Sequence, residues 1–171
     1  MQRILLTILL LMVSNLAIAD EDNQALHKLV KDFEVSIIKK DTTKLMSLFI
    51  NNNVPMVGVH SKNKFKKALA WAKSEQGLVL KKRLGDKFRE PVKYLIRTPQ
   101  NFADLIKTDK PFSEKISNVK INKSNEVATV SFNYQFFEGE TLMNYGVENW
   151  QVIFDGGNWK ISAINFSINR K

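Results

Sequence analysis

Few side chains in this chain are of the types that most often do chemistry. Cysteine is absent, and the two histidines are His27 and His60. Nucleophilic catalysis needs a nucleophile, a base and a group that orients the base, and His60 is followed by Ser61 with no evident third partner. A zinc site or a dehydratase would need histidines that converge with carboxylates. The sequence therefore predicts no metal, no cofactor and no catalytic centre built on histidine.

The first nineteen residues have the pattern of a secretory signal peptide. Arg3 gives a positive start, an almost unbroken apolar run covers 4–13, and Ala17 and Ala19 stand where a signal peptidase reads small residues. We expect cleavage after Ala19 and a periplasmic or secreted mature chain, with 20–171 forming one domain. The alternative is an uncleaved anchor, although an apolar core of about ten residues is short for a span of about twenty. No second apolar run of membrane length follows.

Hydrophobic periodicity predicts helices in the first half of the chain and strands in the second. Apolar residues recur at helical spacing over about 22–40, after the caps at 41–43, and from Ser61 until Gly77. Thr98-Pro99 predicts the start of a further helix. Strands are expected over 54–59, 128–136, 141–155 and 158–168. Helices followed by long antiparallel strands indicate an α+β fold, with the helices covering one face of the sheet.

Three segments resemble the nuclear transport factor two-like superfamily, which includes SnoaL-like cyclases, scytalone dehydratases and ketosteroid isomerases. They are FEVSIIKKDTTKLMSLF (33–49), NEVATVSFNYQ (125–135) and VIFDGGNWKISAINFS (152–167). The resemblance implies a secreted bacterial member with a conical half-barrel, in which a curved antiparallel sheet wraps around the N-terminal helices. The same fold hosts enzymes, binders and assembly modules, so it implies little about function.

The resemblance also implies a pocket, closed by the first helix and lined by alternate residues of the strands. The implied lining is Phe33, Ile37, Val57, Val130, Phe132, Tyr134, Glu148, Trp150 and Asn165. A carboxyl group walled by aromatic rings loses hydration, which raises its pKa and suits it to act as an acid or base near neutral pH. Glu148, helped by Tyr134 and Asn165, is therefore the candidate catalytic set. The alternative is a hydrogen-bonded trio with a structural role only.

The catalytic groups of the ketosteroid isomerases are missing from the matching positions. The resemblance puts Phe33 where their donor tyrosine would stand, Val57 at the base and Trp150 near the second acid. Our first hypothesis is therefore a non-catalytic protein that binds a small hydrophobic ligand or serves as an interaction module. The second hypothesis is a lyase or isomerase that uses Glu148 as its acid or base.

The positive charge is concentrated in one segment, 61–97, which resembles a basic helical insert into the common fold. After signal removal the chain has 25 basic and 17 acidic residues, and this segment holds 12 of the basic and 3 of the acidic ones. The candidate anion-binding side chains are Lys62, Lys64, Lys66, Lys67, Lys81, Lys82 and Arg83. Such a surface attracts an anionic membrane, polymer or acidic protein. Nucleic acid is disfavoured because no nucleic-acid motif accompanies the charge.

Two alternatives concern surfaces rather than the pocket. The basic segment is also compatible with a solvated surface that has no dedicated partner. The resemblance further suggests a homodimer formed through the outer face of the sheet, whose exposed side chains on the strand over 128–136 are predicted to be polar: Thr129, Ser131, Asn133 and Gln135.

Overall fold

The computed structural model describes residues 23–170, so the predicted signal peptide over 1–19 lies outside the described residues. The helices are α1 (23–39), α2 (Thr42–Ser47), α3 (Lys62–Ala72), α4 (Glu75–Leu84) and α5 (Pro99–Ile106), with a 3₁₀ turn at Gly85–Lys87. The strands are β1 (Met56–His60), β2 (Tyr94–Arg97), β3 (Phe112–Ser124), β4 (Val127–Glu138), β5 (Thr141–Asp155) and β6 (Asn158–Ile168).

The strands form one six-stranded sheet in the order β2-β1-β6-β5-β4-β3. Strands β3 to β6 are a meander in which each strand pairs antiparallel with the next along the chain. Strand β1 joins the free edge of β6 in parallel, and β2 then pairs antiparallel with β1. The sheet is curved and does not close, which confirms the predicted α+β cone. Among the strand pairs of residues 23–170, β1 and β6 are the parallel pair, and an isolated parallel bridge joins Phe49 to Ile161.

Side-chain caps and glycine turns set the ends of the elements. Asp41 accepts a hydrogen bond from the Lys44 amide at 2.9 Å at the start of α2, and Thr98 forms a capping box with Asn101 at the start of α5. The β5–β6 hairpin turns through Gly156 and Gly157, whose φ angles of 55° and 91° favour glycine. The caps at 41 and 98 lie where the sequence predicted them.

The predicted helix from Ser61 to Gly77 is two helices. Helix α3 ends at Ala72, and Ser74 starts α4 by accepting a hydrogen bond from the Gly77 amide at 3.3 Å. Gly77 therefore lies inside a helix rather than at its end. A Cβ atom at this position would come within 2.3 Å of the Trp71 carbonyl oxygen, so glycine permits the two helices to pack this closely.

The predicted basic insert over 61–97 divides into two parts. Residues 94–97 form β2, which pairs with β1 through Met56↔Arg97 and Val59↔Tyr94 and so belongs to the sheet. The remaining residues, 61–93, form the hairpin of α3 and α4, which we call the helical arm. The sequence pattern missed β2 because four residues are too few for a strand period to emerge among the surrounding charges.

Phe33 of α1 lies at the centre of the core that joins the helices to the sheet. Its ring centroid is 5.0 Å from that of Trp150 on β5, 5.9 Å from Phe102 on α5 and 6.4 Å from Phe49 after α2. Trp150 also packs edge-on against Phe132, with 5.0 Å between the ring centroids. Aromatic pairs at these spacings add packing energy beyond the area that they bury, so this cluster fixes the helices on the sheet.

Replacing Phe33 by alanine is expected to lower the free energy of unfolding by about 3 to 5 kcal/mol, since the cavity would lie between three elements. Ile38 offers a matched control on the same helix because it is 55% exposed. Ile38→Ala should change the stability by about 0.5 kcal/mol or less. Urea unfolding of both variants measures the difference. Equal losses would show that α1 does not depend on this aromatic cluster.

Candidate functional site

A cavity of about 240 Å³ lies between the sheet and helices α1 and α5. Aromatic rings form much of its wall, among them Phe33, Phe102, Phe136 and Phe166. The polar and charged side chains that line it are His60, Arg97, Glu114, Tyr134, Asn144, Glu148 and Arg170. The polar groups of this cavity come from the strands and from Arg170, two residues after the end of β6.

Two carboxyl groups lie in this cavity, Glu114 on β3 and Glu148 on β5. They are 4% and 5% exposed. Strand β4 lies between their strands, with Phe136 opposite Glu114 and Phe132 opposite Glu148 in the register. Alternation of side chains along each strand places both carboxyls on the buried face. The sheet therefore holds two acids together in a largely apolar space.

Glu148 is bound within the core by a tryptophan. The Trp150 indole Nε1 donates to Glu148 Oε1 at 2.6 Å. Burial raises the pKa of Glu148 to about 7, and this hydrogen bond opposes the rise because it favours the carboxylate. Glu148 is therefore able to change its protonation state near neutral pH, as the sequence hypothesis required of an acid or base.

Glu114 has no hydrogen-bond partner for Oε1 among the described residues. Burial raises the pKa of Glu114 well above its usual value, and the negative charges of Glu148 and Glu34 add to the rise. The protonated form of the Glu114 carboxyl is consequently favoured, and in that form the carboxyl is able to donate a hydrogen bond. Sequence analysis missed this residue. The available signal was the alternation Phe112-Glu114-Ile116, which places a carboxyl between two apolar side chains on one face of a strand.

The Tyr134 hydroxyl is engaged by the protein. It donates towards Ser167 O at 2.8 Å and Asn144 Oδ1 at 2.9 Å. The close approach of Ser167 depends on Gly146, where a Cβ atom would lie 2.1 Å from the Ser167 carbonyl oxygen. Burial and the neighbouring carboxyls raise the pKa of Tyr134 above its ordinary value. Tyr134 therefore supports the shape of the site, and its single hydrogen is already shared between two protein acceptors.

Positive charge lies at the more exposed end of the cavity. Arg170 is exposed, and Arg97 and His60 are half-buried. Burial lowers the pKa of His60, and the charges of Arg170 and Lys93 lower it further, so this histidine is neutral at neutral pH. Among these lining residues the two arginines carry the fixed charge. The site therefore combines two buried carboxyl groups with raised pKa values and a positive rim.

Two residues predicted to line the pocket face away from it, Asn165 and Val57. Asn165 is exposed, and it pairs with half-buried Val57 across β6 and β1. The reason is a bulge in β6: Val152 pairs with Ile161, but Gln151 pairs with Ala163, so Ser162 shifts the alternation by one residue. Phe166 and Ile168 line the cavity in their place. Asn165 is therefore removed from the candidate catalytic set.

On β1 the inward residues are Met56, Gly58 and His60. A Cβ atom at Gly58 would come within 2.7 Å of the Phe166 ring and 2.6 Å of Ile168 Cδ1. This glycine consequently leaves room for the two side chains that the bulge turns inward. Val57, one position along, points to the other face because side chains alternate along a strand.

The remaining predicted lining residues divide between cavity and core. Phe33, Tyr134 and Glu148 line the cavity. The others are fully packed beside it, namely Ile37, Val130, Phe132 and Trp150. These four side chains belong to the packed core next to the cavity, and Phe132 and Trp150 are part of the aromatic cluster around Phe33.

The seven side chains predicted to bind anions are exposed on α3 and α4, away from the cavity. Within residues 23–170, no group of three or more histidine, aspartate or glutamate side chains is arranged to hold a metal ion. No helix of the described part of the chain has the length and apolar character needed to cross a membrane.

No model of a known protein family matches the chain, and no curated protein matches it. Solved structures do match. A candidate dehydratase of the NTF2-like family from Streptomyces avermitilis superposes with a TM-score of 0.60 at 11% identity, covering 90% of this chain and 99% of that one. An NTF2-like protein with a cystatin-like fold from Novosphingobium aromaticivorans gives 0.60 at 10% identity, covering 92% and 87%. A candidate scytalone dehydratase from the same organism gives 0.55 at 14% identity, covering 87% and 85%.

At such low identities these likenesses show the fold alone. The chain has the nuclear transport factor two-like fold, as its sequence resemblance indicated. What it binds or transforms must be argued from its own cavity.

The buried carboxyl of Glu148 should make stability depend on pH. Its pKa is higher in the folded chain than the usual 4.5, so the folded state holds its proton more tightly. This contribution is complete below pH 4.5 and is lost as the pH rises to about 7. Relative to Glu148→Gln, which keeps an acceptor for Trp150, the wild-type chain should lose up to about 3 kcal/mol over this window. Urea unfolding at several pH values measures the difference, and parallel curves would contradict a buried titrating Glu148.

Proposed function

We propose that the chain binds a small, largely apolar molecule whose hydrogen-bonding group lies against Glu114 and Glu148. The observation that carries the proposal is that Glu114 and Glu148 line one cavity whose walls are otherwise mostly aromatic and aliphatic, while Glu114 Oε1 has no partner among the described residues. A buried polar atom without a partner costs about 1 to 3 kcal/mol, so a ligand that turns the Glu114 carboxyl towards itself and supplies the partner gains that energy. Ligand sites in proteins typically combine apolar walls with a few convergent polar groups of this kind.

The charges around the cavity favour neutral and anionic ligands. Arg97 and Arg170 repel a cation at the entrance, whereas Glu114, whose protonated form burial favours, donates in that form to an acceptor oxygen. A carbonyl or carboxylate group on an apolar body meets both requirements. The volume of about 240 Å³ lies below the range of about 300 to 1,000 Å³ that is usual for drug-sized ligands, so the molecule is a small metabolite.

The proposed place of action is the periplasm or the exterior of the cell, which follows from the signal-like pattern of the first nineteen residues. The proposed binding needs no metal or cofactor, because every interaction in it is made by side chains of the cavity.

A matched pair of variants on β2 tests the binding site. Leu95 lines the cavity, and the adjacent Ile96 is 73% exposed on the opposite face of the same strand. Leu95→Trp should fill the cavity and weaken binding at least about tenfold, or 1.4 kcal/mol, whereas Ile96→Trp should leave the affinity unchanged. Titration calorimetry measures the affinities. The probes are two small carboxylates, benzoate and phenylacetate, and one small carbonyl compound, acetophenone.

Equal affinities of the two variants for a probe that binds the wild-type chain would place the binding site elsewhere. Failure of carboxylates and carbonyl compounds of this size to bind would contradict the proposed ligand class.

A second candidate function is a lyase or isomerase of the acid–base type. The observation that favours it is that Glu148, with a pKa of about 7, shares one cavity with Glu114, a second carboxyl group whose pKa is also raised by burial. In the dehydration of a β-hydroxy carbonyl compound, the Glu148 carboxylate would accept the proton on the α carbon while Glu114 protonates the departing hydroxyl. The carbon–oxygen bond breaks, a carbon–carbon double bond forms, and water leaves. Two of the structurally similar proteins are candidate dehydratases.

This second function predicts a large kinetic effect at one carboxyl. Glu148→Gln should lower kcat on a β-hydroxy ketone that the chain turns over by about 10² to 10⁴, which is the usual contribution of a general acid or base. Glu140→Gln, at an exposed position in the β4–β5 turn, is the control and should leave kcat unchanged. Absence of turnover of any bound carbonyl compound by the wild-type chain would reject this function and leave the binding proposal standing.

A further inference from the structure

The helical arm, residues 61–93, carries the excess charge of the chain and packs little of its surface. Ala72 is the buried residue of α3, and Gly77 is the buried residue of α4. Every basic side chain on these two helices is exposed. Within the described chain, one ion pair forms on the arm, between Lys81 and Glu90. The arm is therefore a dense and largely unneutralised positive surface that is held away from the core.

Exposed apolar side chains accompany the charges on the same helix faces. Trp71 is 45% exposed, Leu78 55% and Val79 63%. Each of them lies four residues from a basic side chain, which is one helical turn on the same face: Lys67 for Trp71, Lys82 for Leu78 and Arg83 for Val79. Contact between large apolar side chains and water is unfavourable, and a surface that served only to be solvated would not require such side chains.

We propose that the helical arm docks on an anionic phospholipid bilayer. The basic side chains contact the head groups, while Trp71, Leu78 and Val79 enter the interfacial layer. Basic side chains combined with a tryptophan and aliphatic residues are the composition by which helices lie in a membrane interface. The two helices of the hairpin pack closely at Gly77, where a Cβ atom would collide with the end of α3. The arm can therefore present both helices together.

A bilayer fits this surface better than an acidic protein does. The charges are mostly lysines, which act as point charges and do not impose the forked geometry by which arginine recognises a single carboxylate. The apolar residues are spaced along two helices, which suits a broad interface. The attraction of Lys and Arg to an anionic membrane adds up over many residues without a specific contact for each.

The place of the arm connects it to the cavity. The arm leaves the sheet after His60 and returns to it at β2, which contributes Leu95 and Arg97, and all three of these residues line the cavity. Docking of the arm would therefore bring the rim of the cavity close to lipid. The membrane proposal itself does not depend on what the cavity binds.

Vesicle flotation of the mature chain, 20–171, tests the proposal. The protein should float with vesicles of equal parts phosphatidylcholine and phosphatidylglycerol, and not with vesicles of phosphatidylcholine alone. Binding should weaken as salt rises from low concentration to about 0.15 M, where attraction is screened over about 8 Å. The triple variant Lys64→Gln, Lys67→Gln, Lys82→Gln should bind about a hundredfold more weakly, at about fivefold for each lysine.

A matched triple variant controls for net charge. Lys39→Gln, Lys107→Gln and Lys120→Gln remove the same charge at exposed positions outside the arm and should have little effect. Insertion has its own readout: anionic vesicles should shift the tryptophan emission of the wild-type chain to shorter wavelength, and Trp71→Ser should abolish the shift. Equal losses in the two triple variants, equal binding to both kinds of vesicle, or capture by polyglutamate without vesicle binding would each overturn the proposal.

Discussion

A buried tryptophan needs an acceptor for its indole N–H, and in this molecule the acceptor is the carboxyl group of Glu148. Trp150 is fully buried and packs against Phe33 of α1 and Phe132 of β4, so the same side chain joins helix, sheet and carboxyl. Residues 148 and 150 share one face of β5 because side chains alternate along a strand. This hydrogen bond links the core to the cavity. The packing of α1 on Trp150 thereby also holds the Glu148 carboxyl in position.

The sequence predicts the parts of the fold that have regular periods. Alternation along β4 and β5 correctly places Phe132, Tyr134, Glu148 and Trp150 on the buried face, and side-chain caps mark the starts of α2 and α5. Alternation fails on β6, where the bulge at Ser162 reverses the faces beyond it. A bulge arises from how two strands pair, and the pattern of a single strand does not contain that information.

Glu114 was missed for a related reason. Strand β3 has a register shift between Ser117 and Lys120, and Asn118 within it has a φ of 56°. The alternation around Phe112, Glu114 and Ile116 is therefore too short to stand out from the charged residues that follow. Glu114 and Glu148 become neighbours only when β4 is placed between β3 and β5. The pair, which is the most distinctive chemical feature of the cavity, is a product of strand order rather than of sequence spacing.

The irregular middle of β3 also affects the open edge of the sheet. An unclosed sheet leaves its outer strands with unpaired backbone groups, and β3 is the longer of the two, at 13 residues against 4 in β2. A flat strand of that length would be a template for another copy and hence for aggregation. The register shift bends β3, and the exposed Lys115 and Lys120 on either side of it add repulsion between identical edges. The same local distortion that hides Glu114 from the sequence pattern thus makes this edge a poor template for pairing with another strand.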